Sequence, residues 1–179
     1  MRELSLHILD LIENSIRAGA TVISVSITET QELNLLRIAV EDNGPGLSVP
    51  PDMATNPFYT TKSGAPTGLG LSLFQAAAEK AGGKLTLSTS KLGGLAVEGV
   101  MQLDHIDRSP LGDFGATISS VACTHPDIDI RCRIGTDERE RMMRISDVVR
   151  RLPLPSPPIF ETARAISEEI REASLSLHA

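Results

Sequence analysis

The sequence predicts an α+β two-layer sandwich, a mixed and mostly antiparallel sheet with helices on one face, and three observations predict it. Apolar residues at Leu4, Ile8, Leu11, Ile12 and Ile16, with Ser15 on the same stripe, recur at helical spacing. Two runs then alternate strictly: Ile23, Val25 and Ile27 with polar residues between them, and Leu36, Ile38 and Val40 in the same manner. The order helix, hairpin, loop, helix, hairpin repeats no unit and segregates helices from strands, which is the pattern of helices laid on one side of an antiparallel sheet.

Each element has its own warrant. The first helix runs from Leu4 to Ala18 and stops at Gly19, a residue free to take the left-handed conformation that ends helices. Thr21 to Glu29 is a half-buried strand, Gln31-Glu32 the turn, and Leu33 to Glu41 the returning strand. From Gly44-Pro45-Gly46 to Pro66 the chain is rich in Pro and polar residues without periodicity and reads as loop with room for one short helix. A second helix fits Leu69 to Ala81 before Gly82-Gly83, and strands fit Lys84 to Ser90 and Leu95 to Leu103.

Beyond Asp104 the composition changes, so residues 1–103 and 104–179 are taken as a first domain and a small α+β C-terminal extension. In the extension, Thr117 to Ala122, Ile128 to Ile134 and Arg141 to Ile145 read as short strands, Ser146 as the cap of a helix reaching Leu152, and Phe160 to Ala173 as a final amphipathic helix. Its stripe Phe160, Ala163, Ile166, Ile170 must be covered, by the protein's own sheet or by a second copy or partner.

Composition bounds the function. The chain has 179 residues, 41% of them apolar, a mean hydropathy of +0.00 and a formal charge of −6. That is enough apolar material for a core and the wrong sign of charge for a nucleic-acid binder. Arg131, Arg133, Arg139, Arg141, Arg144, Arg150 and Arg151 crowd one region, but Asp and Glu are interleaved with them, which reads as a salt-paired surface. No apolar run of about 18 residues is present, and Glu3 interrupts any leader-like start, so no membrane partner and a cytoplasmic location are expected. Cys123 and Cys132 stand eight residues apart without a second ligand pair and read as reduced structural thiols.

Three segments carry chemistry. Asp10 and Asn14 are one helical turn apart and project from one face; an Asn carbonyl oxygen suits Mg²⁺, which takes oxygen donors. Asp42 ends a strand immediately before Gly44 and Gly46, so a carboxylate able to accept from an exocyclic amine stands beside backbone without side chains. Gly68-Leu69-Gly70-Leu71 opens a helix whose free amides face an anion, and Thr60, Thr61 and Lys62 precede it, Lys62 as a point charge for a phosphate. Read alone, these are a solvated helix face, a hairpin turn and a simple turn.

In this order, Glu13 to Ala20, Asp42 to Leu47, Phe58 to Lys62 and Gly68 to Leu71 resemble the ATP site of the superfamily of gyrase, heat-shock chaperones, histidine kinases and mismatch-repair ATPases (GHKL, the Bergerat fold). The resemblance covers residues 1–103 and implies ATP or ADP as ligand and Mg²⁺ as cofactor. It assigns Asn14 to the metal, Asp42 to the adenine amine, Gly44 and Gly46 to the base and sugar, and Gly68, Leu69, Gly70 and Leu71 with Thr60, Thr61 and Lys62 to the phosphates. It assigns Asp10 to the place where family ATPases usually carry a catalytic glutamate; one methylene shorter, it predicts slow hydrolysis. Family members often place a threonine in the glycine-threonine pair before the last strand. Gly93-Gly94-Leu95 lacks it, so one contact to the base is expected to be missing.

The ATP-type segment starts at residue 1, so no phosphoacceptor histidine module is expected ahead of it, and His7, His105, His125 and His178 read as surface or packing residues. The resemblance then implies a Mg·ATP-binding regulatory protein, a signalling kinase-like or anti-sigma-like module acting on a protein partner. Its alternatives are a nucleotide-dependent binding module and a slow ATPase without phosphotransfer. A homodimer is left open.

Overall fold

The computed structural model describes residues 3–55, 69–153 and 157–177. Its elements are α1 (Leu4–Arg17), β1 (Val22–Thr30), β2 (Leu35–Asp42), α2 (Pro51–Ala54), α3 (Leu69–Lys80), β3 (Lys84–Thr89), β4 (Leu95–Gln102), α4 (Phe114–Thr124), β5 (Asp129–Gly135), β6 (Glu140–Arg144), α5 (Ile145–Arg150) and α6 (Ile159–Leu177). The described strands form one sheet in the order β3-β4-β2-β1-β5-β6. Every neighbouring pair is antiparallel except β1 with β5, which run parallel from Val22 opposite Asp129 to Thr28 opposite Gly135. The mixed, mostly antiparallel α+β sandwich expected from periodicity is the fold observed.

The pleat sorts the side chains. Ile23, Val25, Ile27, Leu36, Ile38, Val40, Val97, Met101, Ile130, Cys132 and Ile134 are buried, while Ser24, Ser26, Arg37, Glu98, Arg131 and Arg133 lie at the alternate positions. Helices cover the apolar face. α1 supplies Leu4, Ile8, Leu11 and Ile12, α3 supplies Phe74 and Ala78, α4 supplies Phe114, Ile118 and Val121, and α6 supplies Ile166, Ile170 and Ala173. Each such side chain, fully buried, contributes about 1.5–3 kcal/mol. Phe74 lies on β4 where Gly99 gives way: a Cβ at Gly99 would stand 2.6 Å from the ring.

Three readings of the extension are corrected. Thr117 to Ala122 is not a strand but part of α4, because the Asp113 carboxylate accepts from the Ala116 N–H (2.8 Å) as an N-cap and Phe114, Thr117, Ile118 and Val121 fall on one helical face. α5 starts at Ile145, with Arg144 at its N-cap position, so Ser146 is inside the helix and caps nothing; burying Ile145 and Val148 sets that start. The stripe on α6 is Ile166, Ile170 and Ala173, and Phe160, 69% exposed, is not on the covered side. α6 lies on α4, whose Gly115 leaves a Cβ only 3.1 Å from the Ser167 backbone, so the protein's own fold covers the stripe. Residues 104–179 thus contribute β5 and β6 to the same sheet and three helices, α4, α5 and α6, to the core beneath it.

The arginine-rich region is salt-paired. Arg131 and Arg144 both bind Asp129 Oδ2 (2.8 and 2.7 Å), Arg150 binds Asp147 and Arg151 binds Glu169. These guanidinium groups hold the Asp129 carboxyl below the usual carboxylate range, the Arg144 hydrogen bond first, against the opposing effect of burial. Burial pushes the Cys132 thiol up to about 12, so it stays protonated in the core. Among the described residues no helix is long and apolar enough to cross a membrane.

Candidate functional site

The site begins at the end of β2. Asp42 closes that strand next to the start of β1, and Asn43 locks the junction: its Oδ1 accepts from the Thr21 and Val22 N–H groups (2.8 and 2.9 Å) and its Nδ2 donates to Thr21 Oγ1 (3.0 Å). Asp42 is 4% exposed and fully engaged on one side. The N–H groups of Gly44 and Leu95 donate to its Oδ1 (2.9 and 3.1 Å), and the Ser15 hydroxyl donates to its Oδ2 (2.6 Å). A carboxylate offers about four acceptor sites, so one remains, on Oδ2.

That carboxylate lines a cavity of about 70 Å³ walled by Leu11, Val40, Leu71, Leu95 and Val97, with Asn14, Ser15 and Gly46 at its edges. Gly94 makes the close packing possible. A Cβ there would lie 2.2 Å from Asp42 Oδ1 and 2.6 Å from both the Asp42 carbonyl oxygen and the Gly44 nitrogen. Gly46 takes φ +76°, in the region that glycine alone enters freely, and carries the chain past the cavity mouth.

The second part lies where α1 meets the start of α3. A Cβ on Gly70 would stand 2.9 Å from Asp10 Oδ2 and 3.4 Å from Asn14 Nδ2, so Asp10, Asn14 and the first turn of α3 converge. The first-turn amides of a helix have no acceptor within it, and negative charge is favoured there. Asn14 Oδ1 accepts from the Arg17 guanidinium, one turn on. For Mg²⁺, the chain offers the Asn14 amide oxygen with the Asp10 carboxylate beside it, and among the described residues no group of three or more His, Cys, Asp or Glu converges on one point. This set fits a metal that takes most of its oxygens from phosphates and water, and it requires Arg17 to release Asn14.

The structure therefore brings Asp10, Asn14 and Gly70 together at one point, and Asp42, Gly46 and Leu71 around the cavity next to it, with Gly44 behind Asp42 as a donor to its carboxylate. Thr60, Thr61, Lys62 and Gly68 lie outside the described residues, and Leu69 is described in its main chain alone. Sequence reasoning missed Ser15, Asn43, Gly94 and Arg17. Ser15 falls on the apolar stripe of α1, and its signal is a hydroxyl on a buried helix face. Gly93-Gly94-Leu95 lacks the threonine of the resembled family, and in its place the Leu95 N–H and the Ser15 hydroxyl both reach Asp42.

The model of the family described as histidine kinase-, DNA gyrase B-, and HSP90-like ATPase matches residues 2–105. The N-terminal domain of a DNA repair protein aligns over 93% of this chain and 57% of its own, with 12% identity and a TM-score of 0.52, a likeness of fold. The ATP binding domain of PrrB from Mycobacterium tuberculosis is 28% identical over 54% of this chain and 64% of its own, with a TM-score of 0.41. The Aquifex aeolicus MutL ATPase domain complexed with ADP is 16% identical over 94% and 70%, with a TM-score of 0.44. The chain spans less than two thirds of the length of the first two of these. No curated protein matches it in sequence.

Proposed function

The chain belongs to the family of histidine kinase-, DNA gyrase B- and HSP90-like ATPases, and from that premise we propose that it is a Mg·ATP-binding regulatory module, kinase-like or anti-sigma-like, that acts on a protein partner. The observation that carries the nucleotide part is Asp42: a buried carboxylate with three donors fixed on it and one acceptor site left, at the wall of an apolar cavity. Such an acceptor matches an exocyclic amine and opposes a keto oxygen in the same place, which would meet lone pair with lone pair. Adenine in the cavity would leave its phosphates for the start of α3, since Asn14 lies both at the cavity and beside Gly70, and negative charge is favoured at a helix N-terminus.

Mg²⁺ would be held by the Asn14 amide oxygen with the Asp10 carboxylate beside it, and would supply neutralisation of phosphate charge there. For Asn14 to present its amide oxygen to that metal, the Arg17 guanidinium, which now donates to it, would have to let go. Asp10 orients or deprotonates the attacking group. Its side chain is one methylene shorter than glutamate, and a displacement of about 1 Å can cost on the order of a hundredfold in rate. A site that binds nucleotide and turns it over slowly would suit a role in which occupancy is read by a partner.

Calorimetry with ADP and with ATP, with and without Mg²⁺, tests the binding part. Asn14→Ala is expected to weaken Mg·ATP more than metal-free nucleotide; equal weakening would make Asn14 a packing residue. Incubation with γ-labelled ATP and cell extract tests the rest. Label on a protein supports the kinase-like role, whereas label released rapidly as free phosphate by the protein alone overturns it in favour of an ATPase. Asp10→Glu is expected to raise turnover, and a fall would remove Asp10 from the role of base.

A further inference from the structure

We propose that β6 is a self-pairing edge through which two copies of this chain join their sheets into one, antiparallel and centred on Met142. β6 is the outermost described strand on its side of the sheet and pairs with β5. The Thr136 N–H donates to the Arg139 carbonyl (2.8 Å), which makes those residues a hydrogen-bonded pair at the hairpin end. Hydrogen-bonded and non-hydrogen-bonded pairs alternate along an antiparallel ladder. Gly135 with Glu140, Arg133 with Met142 and Arg131 with Arg144 are therefore the non-bonded pairs, and the main-chain N–H and C=O groups of Glu140, Met142 and Arg144 point away from β5.

Those outward residues share one face, and their order decides the partner. In an antiparallel pairing centred on Met142, Glu140 lies opposite the second copy's Arg144, Met142 opposite Met142, and Arg144 opposite the second copy's Glu140. Opposite charges directly across an antiparallel pair stabilise it, and like charges do the reverse. Parallel pairing in register would set Glu140 on Glu140 and Arg144 on Arg144, so the charges select the antiparallel two-fold arrangement. The apolar centre is already exposed: Met142 is 67% accessible.

Neighbouring charges extend the match. Arg144 gives one nitrogen to Asp129 (2.7 Å) and keeps other donors, while Glu140 is held only loosely by Arg133 (3.8 Å). Pairing would link Asp129, Arg144, the second copy's Glu140 and its Arg133 in alternating sign. Sheet edges are normally guarded by proline or by charges that repel a second strand. β6 has no proline, and its charges are self-complementary. Five residues per copy bury less than the roughly 1,200 Å² of a tight complex, so the dimer is weak and concentration-dependent.

Sedimentation of the full chain over a range of concentrations tests this, together with hydrogen exchange. The parent is expected to pass from monomer to dimer, with exchange of the Met142 amide slowing as it does. Met142→Pro removes an outward N–H and no β5 bond, and Glu140→Arg opposes like charges. Each is expected to raise the dissociation constant at least about tenfold while the circular dichroism is unchanged. A parent that stays monomeric, a dimer that both variants retain, or a Met142 amide whose exchange ignores concentration would overturn the proposal; the exchange measurement decides by itself if a variant fails to fold.

Discussion

The floor of the cavity and the contact between α1 and α3 each bury one titratable side chain, Asp42 and His7, to nearly the same degree (4% and 2% exposed), and the two are handled in opposite ways. Asp42 is surrounded by donors: two main-chain N–H groups and the Ser15 hydroxyl. Neither ring nitrogen of His7 has a hydrogen-bond partner, and the ring stacks on Phe74 with centroids 5.5 Å apart. Burying a charge without partners is expensive, so His7 is kept neutral: desolvation lowers its pKa, with Asp10 opposing. The lesson is that burial alone does not mark a site. Backbone and side chain invested in holding one acceptor in place do, and His7 is a packing ring with a polar rim.

The sharpest way to break that contrast is to deny Asp42 its space. Gly94→Ala would put a methyl 2.2 Å from Asp42 Oδ1, so the carboxylate must leave the Gly44 and Leu95 amides. Overpacking typically costs about 1–3 kcal/mol, and the orphaned amides add to it. A fall in the thermal midpoint together with loss of ADP binding is expected; a variant that melts and binds like the parent would show that the site is looser than described. Asp42→Asn should be milder on the fold and severe on the ligand. The amide oxygen can keep the two N–H donors, and Ser15 can turn its hydroxyl to accept from Nδ2, but the group then facing the cavity is a donor. Binding of ADP, followed by calorimetry, should weaken by about 1–3 kcal/mol with little change in melting. Ser15→Ala removes one donor of three and leaves a cavity-facing acceptor intact, so a loss of about 1 kcal/mol in stability and a smaller one in ADP affinity is expected from denaturation and calorimetry.

What was legible in the sequence follows the same division between pattern and placement. α1, β1 to β4 and α3 were readable because their apolar periods are regular and Gly19 and Gly82, at φ +90° and +72°, stop the helices. β2 begins at Leu35 rather than Leu33 because Asn34, at φ +53°, closes the turn. α4 is hard to read because Thr117, Ile118 and Val121 are β-branched, a strand-like composition; the Asp113 cap and the spacing 114, 117, 118, 121 make it a helix. Asp42, Asn14, Gly44 and Gly70 stood out as chemistry-bearing residues next to glycines. Ser15 did not, because a serine on an apolar stripe gives no sign of which buried atom it will meet 27 residues away. The pairing of β5 with β1 was equally hidden, since no local signal names a partner strand across a hundred residues of chain.

The smallest expected effect lies on the His7 side and depends on pH. Its folded pKa is lower than the ordinary value of 6.5. As pH falls through 6.5 the unfolded chain takes up a proton that the native protein does not, so stability decreases from there until the depressed native pKa is reached. The slope contributed is at most about 1.4 kcal/mol per pH unit. The lowered carboxyls, Asp129 and Glu168, act in the same direction but only as pH falls below their ordinary range near 4, so the window from pH 7 to 5 belongs to histidine. His7→Phe keeps an aromatic ring against Phe74 and has nothing to titrate. Urea denaturation at pH 7 and pH 5 should show a smaller loss of stability in His7→Phe than in the parent, with ADP affinity at pH 7 unchanged because the cavity does not include His7. Equal losses in the two proteins would mean that the native state finds His7 a partner when it is protonated, and the contrast with Asp42 would then be one of degree.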